Sequence, residues 1–316
     1  MDTQIDYVVT CYNKAKYIRH VLESIINQQG EFVKRIIIVD DGSTDQSIEI
    51  INKFQQTCPI PMILIKQENA GPARAQNRGL KEVEAPYVKL LDGDDILAPY
   101  ATAHLFMALE QHSDCILSFG APTEQDTYDI TTEGNVHLSI SADASEMKPV
   151  EVIHDPLMES LRSARTTPSA LLTKKEIIEK TGGSNPDVFI QDYSFELEAA
   201  YLGKFAKIST PVFYAPSELG ERMSGNEAQT LHDVNMAIAY FVDKHPNLGE
   251  RYKNYALYRC TSRAAKWAKR HRASQLSLRL TLMKFLAKLP LYTACFKKLS
   301  FSCKAFKHSH PIRVPK

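Results

Sequence analysis

The stretch Asp92-Gly93-Asp94-Asp95 places three carboxylates within four residues, directly after the apolar run Tyr87-Val88-Lys89-Leu90-Leu91. Carboxylates that close together repel one another unless a cation neutralises them. Hard oxygen donors with no histidine or cysteine beside them favour Mg2+ or Mn2+, ions commonly shared with substrate phosphates rather than caged by protein. Asp92, Asp94 and Asp95 are therefore the candidate metal ligands, the plain alternative being a solvated acidic turn. Three more polar clusters follow apolar runs in the same way: Thr10-Cys11-Tyr12-Asn13, Asp40-Asp41-Gly42-Ser43 and Glu68-Asn69-Ala70-Gly71. Any one of them could be a turn with a helix cap. In an open α/β sheet, however, ligands bind beyond the carboxyl ends of the strands, and four polar clusters at such ends point to a ligand site. No Gly-x-Gly-x-x-Gly follows the first apolar run and no G-x-x-x-x-G-K-[ST] loop occurs, which argues against a dinucleotide oxidoreductase or a P-loop enzyme.

The elements that must position these groups alternate at short spacing. Tyr7-Val8-Val9, Ile36-Ile37-Ile38-Val39, Met62-Ile63-Leu64-Ile65, Tyr87 to Leu91 and Cys115-Ile116-Leu117 are short and rich in β-branched residues, as buried parallel strands are. Between them, Tyr17, Ile18, Val21, Leu22, Ile25 and Ile26 fall on one helix face, and Ile48, Ile51 and Phe54 begin a second helix after the start signal Ser43-Thr44-Asp45. This pattern predicts an α/β fold of repeated β-α-β units. Residues 120 to about 150 read as a long loop or small hairpin. A helix is expected over Thr173 to Lys180, a break at Gly182-Gly183 and another helix from Asp192 to Leu202. From about residue 228 the chain reads as helices with breaks near Pro246 and Pro290.

The run Val8-Val9-Thr10-Cys11-Tyr12-Asn13, then Val39-Asp40-Asp41-Gly42-Ser43-Thr44-Asp45, then Asn69-Ala70-Gly71-Pro72-Ala73-Arg74-Ala75-Gln76-Asn77-Arg78-Gly79, then Leu91-Asp92-Gly93-Asp94-Asp95 resembles the family-2 glycosyltransferases of the GT-A fold. The likeness continues more thinly through Thr167-Pro168-Ser169, Gly182-Gly183 and Gln191-Asp192 to Arg222-Met223-Ser224. It implies a Rossmann-like, mostly parallel nucleotide-binding sheet and an inverting transfer of a hexose or N-acetylhexosamine. The donor would be a nucleotide sugar, UDP-linked, and the acceptor a glycan or lipid-linked glycan of a bacterial surface-polysaccharide pathway. Thr10, Tyr12, Asp40 and Asp41 match positions that hold the nucleoside, and Asn13, Asn69, Gly71 and Gly93 lie in the same donor-binding motifs. Asp92 and Asp94 match the D-x-D element that holds Mn2+ or Mg2+ against the diphosphate, with Asp95 beside it. Asp192 matches the general base that deprotonates the acceptor hydroxyl, although an aspartate at a helix start is also an ordinary cap. Two positions depart from the pattern: the usual Glu before the base is Gln191, and the arginine often found before Asn77 is Gln76. Arg74, Arg78 and Arg222 are the alternatives for contacting the diphosphate. The competing readings are a catalytically silent sugar-nucleotide-binding or scaffold protein of the same fold and a nucleotidyltransferase, whose glycine-rich, basic N-terminal loop is absent.

Composition adds a division of charge. The chain has 316 residues, 38 Lys+Arg and 37 Asp+Glu, a formal charge of +1. The last carboxylate is Glu250, so residues 251–316 carry 17 basic residues and no acid, against 21 and 37 in residues 1–250. Such a +17 tail behind a −16 body suggests a polyanionic surface as partner. Arg259, Arg263, Lys266 and Arg270 recur on one helical stripe, and in Leu276 to Leu289 the residues Leu278, Leu282, Phe285, Leu286 and Leu289 lead an apolar arc bordered by Lys284 and Lys288. An anionic membrane surface is the expected partner of residues 251–316, packing on the catalytic domain the alternative, and nucleic acid is not expected because no known module is present. The expected domains are 1–225, catalytic, with a nucleotide-sugar half (1–100) and an acceptor half (101–225), and 226–316, helical and basic. The N-terminus has no basic n-region and no stretch reaches the length of a spanning helix, so the expected location is cytoplasmic, peripheral on the inner face of the membrane. The six cysteines form no C-x-x-C pair and are expected to be reduced thiols.

Overall fold

The computed structural model describes residues 4–120, 127–139, 146–217, 226–289, 292–313 and 315. Two compact units emerge: Met1–His154, Thr166–Ser184 and Leu202–Gly220 form one, and Asp155–Arg165, Asn185–Tyr201 and Glu221–Lys316 the other.

The first unit begins with β1 (Ile5–Cys11), α1 (Ile18–Ile26), β2 (Val33–Asp40), α2 (Ser47–Gln55), β3 (Met62–Lys66), α3 (Pro72–Leu80) and β4 (Tyr87–Asp92). The five expected strands are all present. Ile18, Val21, Leu22 and Ile25 of α1 are fully buried against the sheet core, each worth about 1.5–3 kcal/mol relative to exposure. β5 (Ile96–Leu97), α4 (Ala101–Gln111) and β6 (Cys115–Gly120) follow, then β7 (Thr127–Ile130), β8 (Val136–Ser139) and β9 (Glu151–Ile153). The polar segment after residue 120 thus contains an antiparallel hairpin, β7 with β8. The main sheet has the order β3-β2-β1-β4-β10-β6-β11-β9, where β10 is Leu171–Lys174 and β11 is Lys204–Ile208, and β12 (Phe213–Pro216) joins a small sheet in the order β5-β12-β7-β8. The strands β3, β2, β1 and β4 are mutually parallel, while β10 inserts antiparallel between β4 and β6.

One expectation is corrected here. The helix expected from Thr173 begins at Lys175, as α6 (Lys175–Thr181), because Leu171 to Lys174 form β10. Thr173 is fully buried in that strand, a β-branched residue where pairing partners on both sides outweigh local helical spacing.

The second unit is helical among its described residues: α5 (Pro156–Arg162), α7 (Gln191–Leu202), α8 (Glu227–Lys244), α9 (Glu250–Arg270), α10 (Ser274–Leu286), α11 (Phe296–Ser302) and α12 (Lys304–Ser309). Its core joins Ala264, Trp267, Ala268, Leu280 and Phe306. The expected break near Pro246 lies between α8 and α9, another falls at Arg272 with its positive φ of 59°, and Pro290 lies outside the described residues. No helix among the described residues is long and apolar enough to cross a membrane. All six cysteines are free thiols, with Cys295 the exposed one.

Candidate active site

The parallel register brings the polar clusters to one sheet edge. Thr10 of β1 is level with Val39 of β2 on one side and with Asp92 of β4 on the other, and Cys11 is level with Asp40. The ladder continues past the strand ends, since Asp41 N donates to Cys11 O at 2.8 Å and Gly93 N to Thr10 O at 2.9 Å. That approach explains the glycine of Asp92-Gly93-Asp94: a Cβ at residue 93 would lie 2.7 Å from Thr10 O.

Around this edge the carboxylates differ in what they hold. Asp41 is buried, and its two oxygens accept from Gln67 Nε2 at 2.7 Å, Ala70 N at 2.9 Å and Gly71 N at 2.9 Å. It therefore fixes the turn bearing Asn69 and Gly71 ahead of α3. Asp40 is fully buried; its Oδ1 accepts from Ser43 N at 2.9 Å and its Oδ2 has no partner. An unpaired buried carboxylate oxygen is costly, and each such group calls for an explanation. Burial and the adjacent Asp40 push the Cys11 thiol up to about 12, so this cysteine is no nucleophile. Asn13 adopts the left-handed φ of 52°, donating through its N to Ser43 Oγ and accepting from Thr44 N at 2.8 Å. Tyr12 beside it is 47% exposed.

Thr10 Oγ1 donates to Asp92 Oδ1 at 3.3 Å, and Asp92 N donates to Ser169 Oγ at 3.1 Å. Asp94 pairs with the ammonium of Lys14 at 2.5 Å and accepts Tyr128 OH on its carbonyl. Asp95 is buried. Behind the cluster lies Lys89, fully buried in β4, whose Nζ donates to Ser169 O at 2.6 Å and Leu90 O at 2.9 Å. Burial pulls its pKa down to about 7, against the raising influence of Asp95 and then Asp92. Neither Lys14 nor Lys89 figured among the candidate residues. For Lys89 the signal was present, a lysine in an otherwise apolar strand.

The third motif is tied to the double glycine. Asn77 Oδ1 accepts from Ser184 N at 2.9 Å, Asn77 Nδ2 donates to Ser184 O at 2.7 Å and Gln76 Nε2 donates to Ser184 Oγ at 2.8 Å. Gln76 is thus a buried brace. Gly183 is needed twice over, with φ at +84° and a Cβ that would fall 2.3 Å from Asn77 Oδ1. Arg78 pairs along α3 with Glu82, and Arg74 is half-buried in the helix's first turn. Arg222 lies outside the described residues.

In the second unit, Asp192 stands in the first turn of α7, one residue inside its start. Burial raises its carboxyl pKa, partly opposed by the backbone N–H groups of Tyr193 and of Asp192 itself. The following turn holds it in place: Tyr193 OH donates to Ser160 O at 3.0 Å, and fully buried Glu196 accepts from Ser160 Oγ and from Arg165 N. The basic stripe of α9 is largely occupied within this unit, because Arg259 donates to Arg162 O, Arg263 to Asn235 Oδ1 at 3.0 Å, and Arg270 pairs with Glu227.

A polar edge at the carboxyl ends of parallel strands, β1, β2 and β4, is the feature to set beside known proteins. Residues 6–156, just under half of the chain, match the family described as Glycosyl transferase family 2, and the fold is of the GT-A type. Among particular relatives, glycosyltransferase GlyG of Streptococcus pneumoniae is 26% identical over 75% of this chain and 77% of its own length. The teichoic acid poly(glycerol phosphate) polymerase of Staphylococcus epidermidis is 30% identical over 75% of this chain, but the match spans 31% of that protein. For glycosyltransferase GlyA of S. pneumoniae the matched share is 13%, so the chain spans a minor part of several relatives. Among solved structures, S. aureus TarS 1–349 in complex with UDP-GlcNAc superposes with a TM-score of 0.56 at 16% identity, over 98% of this chain and 93% of that one. The mannosyltransferase PcManGT of Pyrobaculum calidifontis, in complex with GDP-Man and Mn2+, gives 0.54 at 18% identity, over 97% and 88%.

Proposed function

We propose that the protein is an inverting glycosyltransferase that moves a hexose or N-acetylhexosamine from a UDP-linked sugar onto a glycan or lipid-linked glycan of a bacterial cell surface. The observation that carries this reading is the edge where Thr10, the unpaired Oδ2 of Asp40 and the Asp92 and Asp94 carboxylates stand at the ends of adjacent parallel strands. Relatives named for teichoic acid synthesis, and structures with UDP-GlcNAc or GDP-Man bound, are in keeping with it.

In this proposal Asp40, Thr10 and Tyr12 take the nucleoside, while Asn13, Asn69, Gly71 and Gly93 shape its walls. Arg74 and Arg78 are the candidates for the diphosphate. The oxygens of Asp92 and Asp94, with Asp95 beside them, suit Mn2+ or Mg2+. Lys14 already lies against Asp94 as a cation would, and among the described residues no three His, Cys, Asp or Glu side chains are gathered so as to hold a metal ion, so Asp92, Asp94 and Asp95 do not form a three-carboxylate site by themselves. That donor set fits an ion which keeps most of its positions for phosphate and water. Such an ion would stabilise charge on the leaving diphosphate. Asp192, its pKa raised by burial, takes the proton from the acceptor hydroxyl, and general-base assistance of this kind contributes about 10²–10⁴-fold. The basic second unit is proposed to hold the protein at the inner face of the cytoplasmic membrane.

Transfer assays with a panel of UDP-sugars and Mn2+ test the chemistry. Asp192→Asn is expected to lower kcat by about 10²–10⁴-fold while leaving UDP affinity within a few-fold, and EDTA is expected to weaken UDP binding. An active Asp192→Asn variant removes the base assignment, and metal-independent UDP binding removes that of Asp92 and Asp94. UDP binding with intact metal dependence but no transfer to any acceptor would favour the silent sugar-nucleotide-binding reading.

A further inference from the structure

Leu278, Leu282, Phe285 and Leu289 are 73%, 59%, 67% and 48% exposed, four of the nine large apolar side chains so exposed among the described residues. The other five are spread along the chain. These four recur at spacings of four, three and four, which on a helix confines them to a sector of about 60°. Leu289 stands in the turn that extends α10, where Leu289 N donates to Leu286 O. The opposite face of α10 is the packed one: Leu280 is fully buried, Ala287 nearly so, and Leu276 rests on the same core as Trp267 and Phe306. The exposed ridge is therefore a second apolar face that this unit's core does not use.

Cations lie on both flanks of the ridge. Arg279 stands on one side with its guanidinium 5.5 Å from the Phe301 ring centre, and Lys284 and Lys288 stand on the other, 5.4 and 5.8 Å from that of Tyr258. Long basic side chains held sideways over aromatic rings leave the leucines and Phe285 standing proud. We propose that α10 is an interfacial helix whose ridge enters the headgroup and acyl boundary of an anionic lipid bilayer, with Arg279, Lys284 and Lys288 at the phosphates. Charge selects this occupant. With 17 basic residues and no carboxylate in residues 251–316, a second copy meeting α10 through the same face would bring like charge against like, whereas an anionic leaflet gains from each cation near its surface. A basic helix with a proud apolar ridge is the form that binds bilayer interfaces.

The inference rests on the membrane placement proposed above and is independent of the transfer chemistry. It also identifies the contact: the α9 stripe is committed within the protein through Arg259, Arg263 and Arg270, and α10 supplies the docking face.

Flotation of the full chain with vesicles of phosphatidylglycerol and phosphatidylcholine tests it at low and high salt. Binding is expected to persist at 0.5 M NaCl to about a tenth or more of its low-salt value, since screening weakens attraction but not apolar burial. The double variant Leu282→Ser, Phe285→Ser is expected to lose about 100-fold in partitioning, roughly tenfold per side chain. Both side chains are exposed, so the emission of buried Trp267 and the far-ultraviolet spectrum should match wild type. Phe285→Trp is expected to add a blue-shifted emission component that brominated lipids quench. If wild type binds but the double variant binds equally, the membrane placement stands and the role of α10 is overturned. Failure of wild type to bind overturns both. A wild-type dimer in sedimentation that the double variant dissolves would assign the ridge to a second copy and overturn the proposal.

Discussion

Lys89 offers the most quantitative test of the charge arrangement behind the acidic cluster. Its ammonium is fully buried and held by the carbonyls of Ser169 and Leu90, with a pKa lowered from 10.5 to about 7. In the unfolded chain the same group titrates at its ordinary value, so between pH 7 and 10.5 the unfolded state binds more protons than the folded one. Stability then rises with pH across that window. Below pH 7 both states are protonated and the full cost of burying the charge is present; above 10.5 both are neutral and the cost is gone. The shift is worth about 5 kcal/mol in total, and the part recovered between pH 7 and 9.5 is about 3 kcal/mol. Lys89→Met keeps the length of the side chain and removes the titration. Urea unfolding followed by circular dichroism at both pH values is expected to show wild type gaining about 3 kcal/mol relative to the variant on going to pH 9.5. In parallel, a lysine resonance of the folded protein labelled at 13Cε should titrate near pH 7 and be absent in the variant. Equal wild-type-to-variant differences at the two pH values, with no such resonance, would refute a depressed Lys89 and with it the idea that a half-charged cation backs Asp92 and Asp95.

Two further substitutions separate scaffold from site. Gly183→Ala forces a side chain into φ +84° and against Asn77; with the strain of that conformation and the loss of one or both amide bonds to Ser184, a destabilisation of about 2–4 kcal/mol is expected in the same unfolding assay. A cost under about 0.5 kcal/mol would mean that the Asn77 clamp is dispensable. Asp40→Asn retains an oxygen for Ser43 N and is expected to change stability by less than about 1 kcal/mol, while UDP binding by calorimetry weakens roughly tenfold or more; unchanged UDP affinity would show that the unpaired Oδ2 is not recruited by the nucleotide.

Much of the first unit was legible in the sequence because it is built from local signals that agree with one another. Runs of β-branched residues became β1 to β4, one apolar helix face became α1, and the polar groups after each run arrived on one edge because parallel pairing leaves strand ends level. β10 was not legible. It is four residues long, flows directly into α6 and owes its strand form to β4 and β6 on either side, partners distant in sequence. The division of work among carboxylates was equally hidden. Asp40 and Asp41 are neighbours of identical chemistry, yet Asp41 is consumed by the turn before α3 while Asp40 keeps an oxygen unpaired, and only three-dimensional accounting of donors separates them.

The basic tail makes the same point with the opposite sign. Periodicity marked Arg259, Arg263, Lys266 and Arg270 as one stripe on a helix, and periodicity says only that side chains share a direction. Which neighbour stands in that direction decides whether a stripe faces solvent. Here Arg162 of α5 and Asn235 and Glu227 of α8 meet three of the four cations, so their charge is set against a backbone carbonyl, a side-chain amide oxygen and a carboxylate. α10 carries apolar residues on two opposed faces, which lowers any simple amphipathic contrast along it. One of those faces, around Leu280, is spent on the core, and what remains for a partner is the face that core does not need. Charge arithmetic for the tail therefore motivates the proposed class of partner, and the packing of α9 and α10 narrows the surface proposed to meet it.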